Sequence, residues 1–148
     1  MLLSMAAIGA NEFHEGQTTR RLPEARSKSL HIVQCCVRYA ESVQYQGLTL
    51  NALSTVSGSS ERRVRDAFYE CCGMSPTSYF RLVALCEVRR RLVALPHEYD
   101  TVARAASDYG FWHLSRFAGQ YRTLFGESPH ETLMRSRCVA TPLPAESG

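Results

Sequence analysis

The sequence predicts an all-α protein in which two helix-turn-helix subdomains are joined by a long connector helix, about seven helices in total. Three observations carry that prediction. Apolar residues recur at spacings of three and four, and strand-like alternation appears nowhere. Glycines and Ser-Pro pairs interrupt these stripes where helices would stop and start. The punctuation of the first half then returns in the second half, as an internal repeat.

Residues 1–29 read as a linker or the remnant of an upstream domain. MLLSMAAIGA lacks the basic start and unbroken apolar stretch of an export signal. Residues 11–29 mix Asn, Gly, Thr, Ser, Pro and charges without periodicity. From Leu30, the residues Val33, Cys36, Val37, Ala40 and Val43 form one stripe, with Gly47 as its stop. Thr49 caps a short helix carrying Leu50, Leu53 and Val56, which turns at Gly58. Ser60 caps the next helix, whose apolar face is Val64, Ala67, Phe68 and Cys71, and Gly73 ends it.

Ser75-Pro76 opens a helix that runs to Leu95, where Pro96 stops it. It has two apolar sides, Tyr79, Leu82, Val83 and Cys86 on one and Leu85, Val88, Leu92 and Leu95 on the other. Such a helix packs against two neighbours, here two small bundles. Asp100 or Thr101 caps a helix with Val102, Ala105 and Ala106 that ends at Gly110. Leu114, Phe117, Ala118, Tyr121, Leu124 and Phe125 stripe the helix after it; Gly126 closes it and Ser128-Pro129 opens a last short one. The domain is expected over 30–136, with helix-turn-helix units near 49–72 and 101–125, the connector at 76–95 and a flexible tail at 137–148.

Composition narrows the function. The 148 residues suit one ordinary domain, and 45% hydrophobic with 21% charged residues excludes wholesale disorder. No uncharged apolar run approaches the ~18–20 residues of a membrane span. The net charge of +3 is modest, but Lys28 is the lone lysine beside 16 arginines, whose planar forks suit phosphates and guanine edges. The cysteines fall at Cys35-Cys36, Cys71-Cys72, Cys86 and Cys138, with no C-x-x-C and no Cys/His pair at zinc spacing. Cys36, Cys71 and Cys86 therefore read as small core residues of a reduced, cytoplasmic protein, with no metal or cofactor. No nucleophile–base set or paired carboxylates stand out, and no cysteine sits in a P-C-H-R setting such as DNA-repair alkyltransferases use. No catalytic residue is expected, and the chain is not read as an enzyme.

The repeat is more specific. Cys72-Gly73-Met74-Ser75-Pro76 answers Phe125-Gly126-Glu127-Ser128-Pro129. Gly58 and Gly110 lie 15 and 16 residues before the closing glycines, with the small residues Ser54 and Ala106 four positions ahead of them. A glycine in a left-handed turn and a small residue at the helix crossing are what a helix-turn-helix needs. A connector of ~20 residues is ~30 Å long at 1.5 Å per residue, against ~34 Å between successive major-groove faces of B-DNA. A monomer so built suffices to place two helices in adjacent turns of the groove.

The motif Gly73-Met74-Ser75-Pro76 with Tyr79, then Tyr109-Gly110-Phe111, Phe117, Tyr121 and Leu124-Phe125-Gly126-Glu127-Ser128-Pro129, resembles the DNA-binding domain of the AraC/XylS family of bacterial transcription regulators. The resemblance covers Leu30 to Met134, about 70% of the chain. It implies the seven-helix, two-lobed fold, sequence-specific binding of double-stranded DNA and control of transcription, more often activation, with RNA polymerase as a partner. The chain departs from the family at Ala84-Leu85, where Arg-Leu is usual, at Val88 in place of alanine, and at Ser59 in place of an apolar residue. Residues 1–29 are too short for the effector-binding and dimerisation domain many members carry, so the chain is expected to be a stand-alone reader or a fragment, a dimer being possible if it is part of a longer protein.

On the first recognition helix Glu61, Arg62, Arg63, Arg65, Asp66 and Tyr69 lie off the apolar stripe. The resemblance assigns Arg62, Arg65 and Asp66 to base edges. Arg63 and Tyr69 are expected at phosphates. The second recognition helix is poorer in charge: Ser115 and Arg116 are its base-contact candidates, His113 and Gln120 its phosphate candidates. Trp112 is expected to pack at the helix start against the connector. Gly119 stands where a long polar side chain would reach the groove. Of the connector run Arg89-Arg90-Arg91, Arg90 is the candidate for the phosphates between the two grooves. The alternative reading is an anti-activator, a protein-interaction module of the same fold that has lost DNA binding.

Overall fold

The computed structural model describes residues 24–94 and 101–140, and among these residues it holds seven helices and no strand. The expectations for 1–23, for the Pro96 stop and Asp100 cap, and for 141–148 lie outside the described residues. The helices are α1 (Glu24–Ser42), α2 (Leu50–Ser57), α3 (Glu61–Cys72), α4 (Pro76–Ala94), α5 (Val102–Asp108), α6 (Leu114–Phe125) and α7 (Pro129–Ala140).

Five of these helices, α2, α3, α4, α5 and α7, start at a side-chain cap that satisfies an N–H the first helical turn leaves without a partner. Thr49 Oγ1 accepts from the Ala52 N–H at 3.1 Å, Ser60 Oγ from Arg63 at 3.3 Å and Thr101 Oγ1 from Arg104 at 3.1 Å. At α7 the cap is reciprocal. The Glu131 N–H donates to Ser128 Oγ, and the Ser128 N–H donates to the Glu131 carboxylate at 2.6 Å, which holds that carboxyl below its usual pKa. Gly58 (φ 61°) and Gly110 (φ 82°) supply the left-handed backbone at the two helix-turn-helix corners.

Two hydrophobic cores result. The first gathers Ile32, Val33, Cys36 and Ala40 of α1, Leu53 of α2, Val64, Ala67 and Phe68 of α3, and Phe80 of α4. The second gathers Ala84, Leu85, Val88 and Leu92 of α4 with Ala105, Ala106, Phe111, Phe117, Tyr121 and Leu133. One helix therefore closes both cores, Phe80 packing edge-on to Phe68 at 5.4 Å and the buried residues from Ala84 to Leu92 facing the second lobe. At the far end of that lobe Tyr121 donates from its buried hydroxyl to Thr132 Oγ1 (2.9 Å), which donates to Glu127 (2.8 Å). Glu127 also pairs with Arg89 of α4 and Arg135 of α7.

Several expectations are corrected. Residues 24–29, expected in the linker, are the first turns of α1. Ser29 is fully buried, accepting from Arg63 (2.6 Å) and donating to Glu70, so a polar tie to α3 holds a segment with no apolar signal. α1 ends at Ser42, before Gly47, because Gln44 (φ 51°) and Tyr45 (φ 61°) already turn left-handed. Residues 137–140 of the expected tail continue α7. In α4, Leu82, Val83 and Cys86 are half-buried, whereas Phe80 and Ala84 are the buried residues. Cys71 is likewise half-buried, and only Cys36 of the three proposed core cysteines is enclosed, burial pushing its thiol up to about 11. Val56, Leu114 and Leu124 are exposed, because each sits near a helix end where its stripe runs past the edge of the core.

Two stability predictions follow from these ties. Glu127→Ala removes a largely buried carboxylate from Arg89 and Thr132, a loss of about 1.5–3 kcal/mol for hydrogen bonds to a charged group. A urea titration would read it as a lower midpoint with unchanged slope. The Ser29 and Arg63 hydrogen bonds hold the Glu70 carboxyl below its usual pKa. The ionised form therefore stabilises the fold at neutral pH, and that contribution is lost as pH falls through the folded-state pKa. Glu70→Gln should lower the melting temperature at pH 7, and its difference from wild type should shrink as pH falls and the carboxyl protonates, as followed by circular dichroism.

Candidate nucleic-acid interface

Each lobe presents one twelve-residue helix behind a glycine corner, α3 and α6. On α3 the core-facing side is Val64, Ala67 and Phe68. At 100° per residue, Arg62, Arg65, Asp66 and Tyr69 then share the opposite face, within an arc of about 100°. All four are exposed. Among the described residues Arg62 and Asp66 have no ionic partner, and Arg65 meets Glu61 at 3.6 Å across one turn, a weak exposed pair. Arg63 lies on the flank toward α1 instead. Its guanidinium reaches Glu70 at 3.3 Å and Ser29 at 2.6 Å, so it braces the reading helix against α1.

The corner before α3 is built from hydroxyls. Ser54 Oγ donates across the turn to the Ser59 carbonyl at 2.5 Å, and Ser57 Oγ to the Leu53 carbonyl at 2.7 Å. The Ser59 hydroxyl itself donates to the Ser57 carbonyl at 3.4 Å, within the same turn. Ser60, Arg62 and the amino end of α3 follow directly from this locked turn.

On α6 the core side is Phe117 and Tyr121. Ser115, Gly119 and Arg122 face away from it, flanked by Arg116, and all four are exposed. Arg122 was not among the expected site residues, although its spacing of seven from Ser115 places it on that face. No carboxylate pairs with Arg116 among the described residues. Gln120 is half-buried and accepts from Arg81 Nε of the connector at 2.9 Å, which turns it away from a free reading role. His113 holds the N-cap position of α6 without a side-chain cap bond. Trp112, expected against the connector, is 72% exposed. The aromatic that packs there is its neighbour Phe111, 5.0 Å from Phe117 and beneath the Arg81 guanidinium.

The connector arginines are all engaged. Arg89 meets Glu127 at 3.3 Å and lies 4.9 Å over the Phe125 ring, Arg90 pairs with Glu87 at 2.6 Å, and Arg91 bonds Asp108. Arg90 is nonetheless largely exposed.

The loop after α1 sets the relation between the reading helices. Tyr45 packs against both cores, and its ring lies 6.4 Å from Tyr109. Gln46 Nε2 donates to the Asp108 carbonyl at 2.7 Å. Burial pushes the Tyr45 phenol up to about 12, so its hydroxyl keeps its proton at any physiological pH. The left-handed backbone at Gln44 and Tyr45 costs about 1 kcal/mol or more each, and the seam is what holds it.

Among the described residues, two glycine-cornered helix pairs joined by one helix have the layout of a bipartite DNA-binding module. A helix-turn-helix domain family model matches residues 53–135, and the chain belongs to the AraC/XylS family of transcription regulators, whose DNA-binding domain it contains. It is 35% identical over 101 residues to XylDLEGF operon transcriptional activator 3 of Pseudomonas putida, covering 68% of this chain and 30% of that protein. It is 31% identical over 113 residues to the probable thc operon regulatory protein of Rhodococcus erythropolis, covering 76% and 34%. The chain thus spans about a third of the length of these relatives. A solved structure of a probable AraC family transcriptional regulator from Rhodopseudomonas palustris superposes with a TM-score of 0.64 at 33% identity, covering 71% of this chain and 96% of that one. The family is one of DNA-binding regulators, not enzymes. Among the described residues no helix is long and apolar enough to cross a membrane, and no cluster of potential metal ligands occurs.

Gly119 has an ordinary helical φ, and a Cβ built on it meets nothing within 4 Å. Gly119→Ala should therefore stabilise the free protein by up to ~1 kcal/mol through helix propensity alone. Thermal melts without and with DNA check it. A gain in the free protein matched by weaker DNA binding would mark Gly119 as a point of close backbone approach to the duplex.

Proposed function

We propose that the chain is a sequence-specific transcription activator whose two reading helices enter adjacent major-groove segments on one face of the duplex. The observation that carries this reading is the face of α3, where Arg62, Arg65, Asp66 and Tyr69 stand together, exposed and opposite the core. Arg62 and Arg65 suit the O6/N7 edge of guanine, and Asp66 suits the amino group of cytosine. Ser115 and Arg116 are the base-contact candidates of α6. Tyr69, His113, Arg90 and Arg122 are the phosphate candidates, with Gln120 a weaker one because Arg81 holds it. Arg63 acts by positioning α3. Activation is supported by the similarity to proteins named XylDLEGF operon transcriptional activators, and RNA polymerase is the partner that activation would call for. One copy suffices for binding in this reading, because a single chain carries both reading helices.

The test is selection from randomised duplexes of about 25 bp, followed by titration at several salt concentrations. An asymmetric site with affinity falling steeply as salt rises is expected. Arg62→Ala should cost ~1–3 kcal/mol, roughly 5- to 150-fold in affinity, and relax selectivity at one base pair. Weak, unselective binding at low salt would favour the anti-activator reading, in which the helical scaffold serves a protein partner.

A further inference from the structure

The two reading helices have the same length and the same closing glycine, so a shift of 53 residues superposes α3 on α6. Arg65 and Asp66 then correspond to Ala118 and Gly119, Glu61 to Leu114, and Ser59 to Trp112. Where the first lobe offers long polar side chains, the second offers short or apolar ones. Trp112 is the most exposed large apolar residue described, at 72%, and Leu114, two residues on at the first position of α6, is 45% exposed. Leu114 and Ala118 are one turn apart and share a flank of the helix, beside the polar line of Ser115. The core beneath is already filled by Phe111, Phe117 and Tyr121, so neither exposed side chain has a place inside.

In a helix-turn-helix the amino end of the second helix is the part that meets base edges. The one apolar group on the floor of the major groove is the C5-methyl of thymine. We propose that the second lobe reads thymine methyl groups through Leu114, Ala118 and Trp112, rather than base edges through hydrogen bonds. This inference rests on the DNA-binding reading above and deepens it. Leu114 and Ala118 line the methyl-contacting flank. Gly119, with no side chain, lets the helix approach closely enough for these short groups to touch. Trp112, at the entrance to the helix, covers the neighbouring methyl or sugar. The lobes thereby divide the work: α3 discriminates by donors and acceptors, α6 by the presence of a methyl group.

Replacing thymine by uracil in the selected duplex removes the methyl and leaves every hydrogen-bonding edge intact. With the whole chain, one or two thymines in the half-site opposite that of α3 should each show about a three- to fivefold loss of affinity on replacement, the scale of one buried methyl group. Leu114→Ala and Trp112→Ala should erase the thymine–uracil difference at their own positions. Because both residues are exposed, their melting temperatures should match wild type, and Leu114→Gln serves as a second variant that keeps helix propensity. Uracil tolerated at every position of that half-site, or a loss unchanged in both variants, overturns the inference while leaving DNA binding intact. Absence of any selected site, tested separately through Arg62→Ala, overturns the underlying reading and this one with it.

Discussion

α4 has to satisfy two hydrophobic cores at once, and the remaining structure is arranged around that requirement. Its 19 residues span about 28 Å. Over that length the buried positions move from Phe80, which closes the first core, to Ala84, Leu85, Val88 and Leu92, which close the second. A helix buried on two sides cannot rotate or slide without opening one core or the other. The separation of the reading helices is therefore a packing quantity, fixed by the same contacts that fold each lobe.

A single shared helix would still allow the lobes to bend, and the loop after α1 removes that freedom. Tyr45 joins both cores, Gln46 bonds the Asp108 backbone, and Arg91 of α4 ties to the Asp108 side chain. The left-handed backbone at Gln44 and Tyr45 is a local cost accepted for a long-range result. Arginine is divided between two duties in consequence. Arg63, Arg89 and Arg91 are spent on carboxylates that brace α3, α7 and α5, while Arg62 and Arg116 stand without one. Glu70, Glu127 and Asp108 are taken up by the bracing arginines, whereas the exposed face of α3 sets Asp66 beside Arg62 and Arg65.

The two lobes have the same skeleton and different surfaces. Both turn on a left-handed glycine, both cap the helix that follows or precedes it, and both end the reading helix at a second glycine. The first then clothes α3 with charge, and the second gives α6 several short or apolar side chains at the matching positions. Shared skeletons and divergent faces are what a chain needs if its halves are to meet different base pairs from one rigid frame.

The sequence by itself determined the helix order, the caps and the repeat, because these depend on neighbours within four residues and on glycine's backbone freedom. It also placed Arg62, Arg65 and Asp66 on one outward face, since helical spacing alone separates them from Val64, Ala67 and Phe68. Tertiary structure alone decided which arginines are committed. Arg63 and Arg62 are adjacent and chemically identical, and only the arrival of Ser29 and Glu70 on one flank of α3 distinguishes them. It likewise decided that α1 begins at Glu24, as burial of Ser29 needs a partner 34 residues away. Trp112 and Leu114 were misjudged for the same reason. Periodicity identifies which residues could enter a core, but the volume already taken by Phe111 and Phe117 decides which of them remain outside.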